Sequence, residues 1–502
     1  MEIFMFKTVT PESAGISSKN VLKFLKTLDS YHLSTHSVIM ARGENIFAEC
    51  YYAPFTKDFK HRMYSVSKSF VSIAVGLAAE DGLLSLDDKF VKFFPEYVNE
   101  KTDDNIKEMT IRDMLAMSTS EYHHLNWFIT GTNDRCEVYF RRGSDKIPGT
   151  LYQYDSPASF MLCAIVENLT GKKFLDYLKE KFLNDIGFSK DSYCLNVPGG
   201  HSFGDSGVIC TARDLLLFAR FVMNKGEWNG KRYMNEEYLS EATKKQVSND
   251  YAGLVSYNTY GYGYQIWMAP RGGFAFVGMG DQFAICIPDK DFIFIINSDN
   301  QGNGYSRTVL YHSLVNDIID CLGEPLKEDE KSKKELDGYI KNAKLMHLYE
   351  NEYGGFANKI NGVRYNMTKS DMGIEYIKFD FKEDTGTMSY KNAQGEKRLK
   401  FGICKNEFSK FPETGYPNMT AAVSEEGNMY GCAASADWVE EKKLRIKVQI
   451  IDKYYGNISM VFSFKDDRIS VYMEKHAEAF LNEYNGFAEG RRAGAEPDMP
   501  CN

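Results

Sequence analysis

The sequence predicts an α+β fold over residues 1–323, an antiparallel sheet flanked by helices. A charged linker at 324–344 follows, then an antiparallel β-barrel or sandwich at 345–489 and a disordered tail at 490–502. Three observations carry this. Four strand-like runs, Tyr262 to Met268, Phe274 to Val277, Phe283 to Ile287 and Phe292 to Ile296, are separated by turn-forming stretches such as Arg271-Gly272-Gly273 and Pro288-Asp289-Lys290-Asp291, as an antiparallel meander requires. Stretches of helical periodicity stand before and after these runs. Beyond Lys344 the apolar period becomes two: Ile377, Phe379 and Phe381, then Leu444, Ile446, Val448 and Ile450, then Ile469, Val471 and Met473 alternate with polar residues.

In chain order, Ser17 or Ser18 can cap a helix with Val21, Leu22, Leu25 and Leu28 on one face. His36 to Ala41 and Ile46 to Tyr52 flank Arg42-Gly43-Glu44-Asn45 and read as a hairpin. A helix starts near Ser65, because Phe70, Ile73, Ala74 and Leu77 recur at helical spacing and Gly82 follows as a stop. Thr110-Ile111-Arg112-Asp113 suits a capped helix start. From Ser118 to Tyr152 the periodicity is lost, and a loop of that length carrying His123, His124 and Trp127 reads as a wall that shapes a substrate site. A helix capped by Ser156, with Pro157 in its first turn, runs to Thr170, and another follows Lys172. Thr211-Ala212-Arg213-Asp214 opens a helix to Gly226, Asn235 to Ala242 is a shorter one, and Tyr305 to Leu322 closes the domain. The run Lys327 to Glu335 reads as a solvated linker or helix.

Composition bounds the function. The chain has 502 residues, 43% hydrophobic and 26% charged, enough for a large core and two to three domains. A formal net charge of −9 argues against nucleic acid or an anionic membrane as the main partner. No run approaches the roughly 18 apolar residues of a membrane span, and the N-terminus has no basic region followed by an apolar one. The ten cysteines are scattered without a Cys-x-x-Cys pair and read as reduced thiols of a cytoplasmic protein. His123 and His124 have no carboxylate or cysteine at ligand spacing, so no metal is expected. Gly-x-Ser-x-Gly, His-Glu-x-x-His and Walker patterns are absent, and no cofactor is implied.

The chemistry centres on Ser65 and Lys68. Three residues apart at a helix start, they share a face, so the lysine nitrogen can reach the serine hydroxyl, while free N–H groups and the positive dipole end favour a developing oxyanion. A serine hydroxyl needs a neighbouring base to attack a carbonyl at neutral pH.

Together, Ser65-Val66-Ser67-Lys68, Tyr154-Asp155-Ser156, Thr110-Ile111-Arg112-Asp113-Met114-Leu115 and Thr211-Ala212-Arg213-Asp214-Leu215, in this order, resemble the serine β-lactamase and penicillin-binding-protein superfamily. The likeness covers roughly residues 8 to 322 and is to class C β-lactamase-related enzymes such as family VIII esterases and 6-aminohexanoate-dimer hydrolase. It implies the β-lactamase/DD-peptidase fold, with an all-helical subdomain beside the sheet. It further implies an acyl-enzyme on Ser65, with Lys68 as general-base partner and Tyr154 as proton relay to the leaving group; the sequence leaves open which of the two is the base. Ser156 stands where most relatives have asparagine. Lys-Thr-Gly is absent from the strand bordering the site, where Val277-Gly278-Met279-Gly280-Asp281-Gln282 stands instead. Ser156, Gly278, Gly280, Asp281, Gln282 and Trp127 are expected to line the substrate site, an N–H near Asp281 to Phe283 joining that of Ser65 as an oxyanion hole. The implied partner is a small ester, amide or peptide, including a D-amino-acid peptide. The alternatives are a β-lactamase or DD-peptidase-type enzyme, and a non-catalytic binding protein that keeps the fold. Lipocalin-like β-barrel appendages occur on some relatives, and such a domain would cover the hydrolase domain or build a homo-oligomer.

Overall fold

A computed structural model describes residues 6–120, 134–253, 256–350, 354–415, 417–419, 423–424, 427–478 and 480–494. The chain forms two compact units that part between Leu345 and Met346.

The first unit is built on a seven-stranded sheet: β1 (Lys7–Thr8), β2 (Thr35–Arg42), β3 (Asn45–Tyr51), β4 (Trp267–Ala269), β5 (Gly273–Gly278), β6 (Gln282–Ile287) and β7 (Phe292–Ser298). Its order is β1-β3-β2-β7-β6-β5-β4. Every pair is antiparallel except β1 with β3. The expected meander is there, joined through β7 to the hairpin of β2 and β3. β5, β6 and β7 are buried along their whole length, which explains their unbroken apolar runs, since both faces are covered. Phe24 of the Ser18–Ser30 helix meets Phe294 edge-on at 5.5 Å, and Phe218 of the Ala212–Met223 helix lies 5.3 Å from Phe276.

Capping was legible at several starts. Ser17 caps the first helix through Asn20 N–H, and Thr110 and Thr211 form reciprocal capping boxes with Asp113 and Asp214. At the Ser156–Thr170 helix the cap is Asp155, not Ser156: its carboxylate accepts from Ala158 N–H, placing Ser156 in the first turn. Asp155 is further fixed by Thr119 Oγ1 at 2.8 Å and Arg142 Nη1 at 3.2 Å.

Two expectations need correction. The stretch expected as a loop from Ser118 to Tyr152 holds a helix, Arg135–Phe140, capped by Asp134 and packed through Phe140 and Tyr139 against Phe90 at 5.1 and 5.6 Å. His123, His124 and Trp127 lie outside the described residues. The strand expected from Tyr262 begins only at Trp267. Before it Gln265 is left-handed (φ +58°), and a Cβ at Gly263 would collide with Ala242 O, so the chain crosses the preceding helix instead of entering the sheet. Of the two readings of the charged stretch, linker or helix, the helix is found: Glu330–Asn342 packs on the Ser18–Ser30 helix and buries Leu336 and Ser332.

The second unit settles the choice between barrel and sandwich. Nine strands, β8 (Arg364–Met367), β9 (Tyr376–Lys382), β10 (Thr385–Asn392), β11 (Gly395–Ile403), β12 (Gly431–Glu440), β13 (Lys443–Ile451), β14 (Tyr455–Lys465), β15 (Arg468–Ala477) and β16 (Gly486–Arg492), run in the order β11-β10-β9-β8-β16-β15-β14-β13-β12. Parallel pairing of Gly402 with Ser435 and Ile403 with Ala436 joins β11 to β12 and closes a barrel. The period-two residues Phe379, Leu444, Ile446, Ile469 and Val471 are buried, alongside Phe401, Trp438 and Phe462. β16 carries the ordered chain past the expected start of the tail, since Gly490 and Arg491 pair with Met367 and Asn366 on one side and with Ile469 and Arg468 on the other. No helix among the described residues is long and apolar enough to cross a membrane.

Candidate active site

The two-residue strand His61–Arg62 pairs with Val208–Cys210, then breaks into a 3-10 turn, Tyr64–Val66, that runs into the helix Ser67–Glu80. Tyr64 takes a left-handed conformation (φ +47°), a strain of about 1–2 kcal/mol for a residue with a Cβ. Burial holds it there, with the Arg62 guanidinium 4.2 Å from its ring centre. The strained turn leaves Ser65 half-buried just ahead of the helix, between Tyr64 and Val66, which are buried.

Lys68, one turn on, is buried. Its Nζ donates to Ser65 Oγ at 3.0 Å and to the Asp205 carbonyl oxygen at 2.6 Å. The same nitrogen lies 5.2 Å from the Tyr154 ring centre, and Tyr154 stacks on Trp267 at 5.7 Å. Thus Ser65, Lys68 and Tyr154, drawn from two helix starts some ninety residues apart in sequence, converge on one amine. Ser156 sits two residues past Tyr154, partly exposed, in the first turn of its helix.

The end of β5 borders the Ser65 turn. A Cβ at Gly278 would collide with the Met63 carbonyl oxygen, so only glycine allows this approach. Gly280 and Asp281, both left-handed (φ +74° and +68°), make the turn into β6. The Asp281 carboxylate pairs with Arg307 Nε at 3.1 Å and accepts from Asn300 Nδ2 at 3.1 Å. Gln282 Nε2 donates to the Ser298 carbonyl, and its Oε1 accepts from Asn297 Nδ2 at 3.0 Å. Gly278 therefore adjoins the nucleophile turn, whereas the side chains of Asp281 and Gln282 are buried and tie the hairpin to the end of β7. Among the described residues no cluster of His, Cys, Asp and Glu could hold a metal ion, and the described cysteines are all free.

Gln265, hidden to sequence reasoning inside an assumed strand, organises the site. Its carbonyl accepts from Ser69 Oγ at 2.8 Å, its Oε1 accepts from Ser159 Oγ at 2.6 Å, and its Nε2 donates to the carbonyls of Met114 at 2.8 Å and Leu115 at 3.2 Å. One buried residue thus ties three helices together, its side-chain amide joining the Tyr154 helix to the helix Ile111–Leu115 and its backbone carbonyl holding the Ser65 helix. Gln265→Ala strands the Ser159 hydroxyl and takes one donor each from the Met114 and Leu115 carbonyls, which keep the N–H groups of Met117 at 3.3 Å and of residue 265 at 2.8 Å, and is expected to cost about 2–3 kcal/mol. The urea midpoint measures this; a shift corresponding to less than about 1 kcal/mol would contradict the locking role.

Residues 23–313 match the family profile described as Beta-lactamase. The 6-aminohexanoate-dimer hydrolase of Paenarthrobacter ureafaciens is 23% identical over 281 residues, covering 52% of this chain and 71% of that protein. A solved structure from Bacillus anthracis, provisionally called a 6-aminohexanoate-dimer hydrolase, superposes with TM-score 0.52 at 18% identity, covering 63% of this chain and 87% of its own. A second, from Bacteroides dorei and provisionally called a beta-lactamase, gives TM-score 0.52 at 16% identity, covering 61% and 99%. A profile match spanning more than half of the sequence, on a domain whose sheet and helices bring a serine, a lysine and a tyrosine together, makes this chain a member of the beta-lactamase family of serine hydrolases.

Proposed function

We propose that the protein hydrolyses a small ester or amide through an acyl-enzyme on Ser65. The observation that carries this is the 3.0 Å hydrogen bond from the buried Lys68 amine to Ser65 Oγ, with the Tyr154 ring against the same amine. Lys68 takes the hydroxyl proton as Oγ attacks the substrate carbonyl, Tyr154 relays it to the departing alcohol or amine, and water then releases the acyl group. The Ser65 N–H, at the helix start, is one oxyanion donor. For the second, the close passage of Gly278 beside Met63 favours the N–H of Met279, at the end of β5, over those of Asp281 to Phe283.

The substrate reading follows what borders the nucleophile. At the end of β5 stand Phe276, Val277 and Gly278, buried and without an ammonium to hold a substrate carboxylate, which favours neutral esters and amides over penicillins. An amide such as the dimer named for the Paenarthrobacter relative, or a short D-amino-acid peptide, offers the bond to be cleaved but also a free carboxylate, so their carboxyl-capped forms suit this strand better. Intact-protein mass after exposure to a fluorophosphonate, p-nitrophenyl acetate and a penicillin tests the reading. The expected result is a fluorophosphonate adduct at Ser65, fast turnover of the acetate and no penicilloyl adduct. A stable penicilloyl adduct would move the assignment to the penicillin-binding type, and no adduct at Ser65 with any probe would overturn it.

A further inference from the structure

Asp205 stands beside the amine on which the mechanism turns. The residue is 3% exposed, and its backbone carbonyl accepts the 2.6 Å hydrogen bond from Lys68 Nζ. Its side chain is buried too, and carboxyl Oδ1 has no hydrogen-bond partner among the described residues. A buried carboxyl oxygen left without a donor is costly, and in a native structure it asks for a reason.

The surroundings supply one. Three cations act on the charge of this carboxyl from three elements: Lys68 from the Ser65 helix, Arg135 from the helix Arg135–Phe140, and Arg62 from the strand leading into the nucleophile turn. Arg62 is directed elsewhere, its Nε to the Ser206 carbonyl and its Nη2 to Ser206 Oγ, each at 3.0 Å. Arg135 lies against aromatic faces, 5.2 Å from the Phe203 ring centre and 5.9 Å from that of Phe160. Cys163, Cys194 and Glu167 border the same region, and Glu167 is engaged by His201 and Lys173. Burial pushes the Asp205 carboxyl above its usual range; the cations oppose this, Lys68 most strongly.

Resting on the reading of Ser65 as nucleophile and Lys68 as its base, we propose that Asp205 is a positioning residue for the hydrolytic reaction: its carbonyl holds the Lys68 amine at Ser65, and its buried carboxyl balances the charge that amine acquires. As Ser65 Oγ bonds to the substrate carbonyl carbon, its proton passes to Lys68 Nζ and an ammonium forms in a region already holding two guanidinium groups. The Asp205 carboxylate offsets that charge. When Tyr154 passes a proton to the leaving group and recovers one from Lys68, the neutral amine is restored.

Asp205→Asn keeps the carbonyl and the side-chain shape but removes the charge. The ammonium form of Lys68 loses its counter-ion, so the amine stays neutral to lower pH, and it is also a weaker base. The rate constant for fluorophosphonate labelling of Ser65, followed by intact mass across pH, reads both effects. For Asp205→Asn the acid limb of the profile is expected to move to lower pH by about one unit, and the plateau to fall about tenfold. Asp205→Ala serves as the second variant, with the same direction expected. A limb that stays in place in a folded variant overturns the role of Asp205 and leaves Ser65 standing, as does a failure of both variants to fold, which would make the residue structural. Absence of labelling in the wild-type protein overturns the underlying reading as well.

Discussion

Ser65→Ala is expected to lower ester turnover on the order of a millionfold, the scale on which a serine hydrolase loses rate when its nucleophile is removed, while leaving the fold intact. The two halves of this expectation have separate physical sources. The hydroxyl is the atom that bonds to the acyl carbon, so its loss cannot be compensated by the remaining oxyanion donors, which stabilise an intermediate that no longer forms. The side chain, in contrast, is small, half-exposed and bonded only to Lys68 among the contacts described. Removing it creates no cavity and leaves the Lys68 amine on the Asp205 carbonyl. A Tm within about 2 °C of wild type, measured on the same preparation that has lost turnover, checks both halves. Turnover within tenfold of wild type in a folded variant would remove Ser65 from the mechanism.

Gly278→Val is expected to have the next largest effect on rate. A side chain at this position would meet the Met63 carbonyl oxygen and crowd Gln282 Cβ at 3.1 Å. Backbone cannot give way as a flexible side-chain tip can, so the end of β5 must retreat from the nucleophile turn. A displacement of about 1 Å in a catalytic constellation costs on the order of a hundredfold in rate, and the loss should fall on kcat more than on KM if the strand end contributes an oxyanion donor, because that interaction grows in the transition state. Gly278→Ala, with one carbon, should lie between. Kinetics with p-nitrophenyl acetate separate the two parameters; an unchanged kcat in a folded Gly278→Val would show that β5 does not serve the reaction. Gly280→Ala is the useful contrast, since its penalty comes from a left-handed backbone in the turn and should appear in stability.

Where the sequence carried local information, the reading held. Phe70, Ile73, Ala74 and Leu77 are buried on the helix they were expected to form, and Thr110 and Thr211 cap as their spacing to Asp113 and Asp214 requires. Period two in Leu444 to Ile450 and Ile469 to Met473 became β13 and β15 of the barrel. Misreadings came where a neighbour outside the local stretch decided. Asp155 took the cap from Ser156, its carboxylate held by Arg142 and Thr119, which stand 13 and 36 residues earlier in the chain. Tyr262 to Gln265 looked like a strand by composition, yet Gly263 must pass over Ala242 and Gln265 must turn left-handed to reach three helices.

By itself, then, the sequence determined the capped helices around the site, the order of the meander and the placement of Ser65 one helical turn from Lys68, because each of these depends on periodicity, capping and spacing along a single stretch of chain. Tertiary structure alone decided that Tyr154 meets the Lys68 amine, that Gly278 passes against Met63 at the nucleophile turn, and that Gln265 and Asp205 hold the centre together. Those relations join residues tens to hundreds of positions apart, and they are set by how the two helix starts, the end of β5 and the Asp205 segment pack, a three-dimensional fact that no local pattern of side chains encodes.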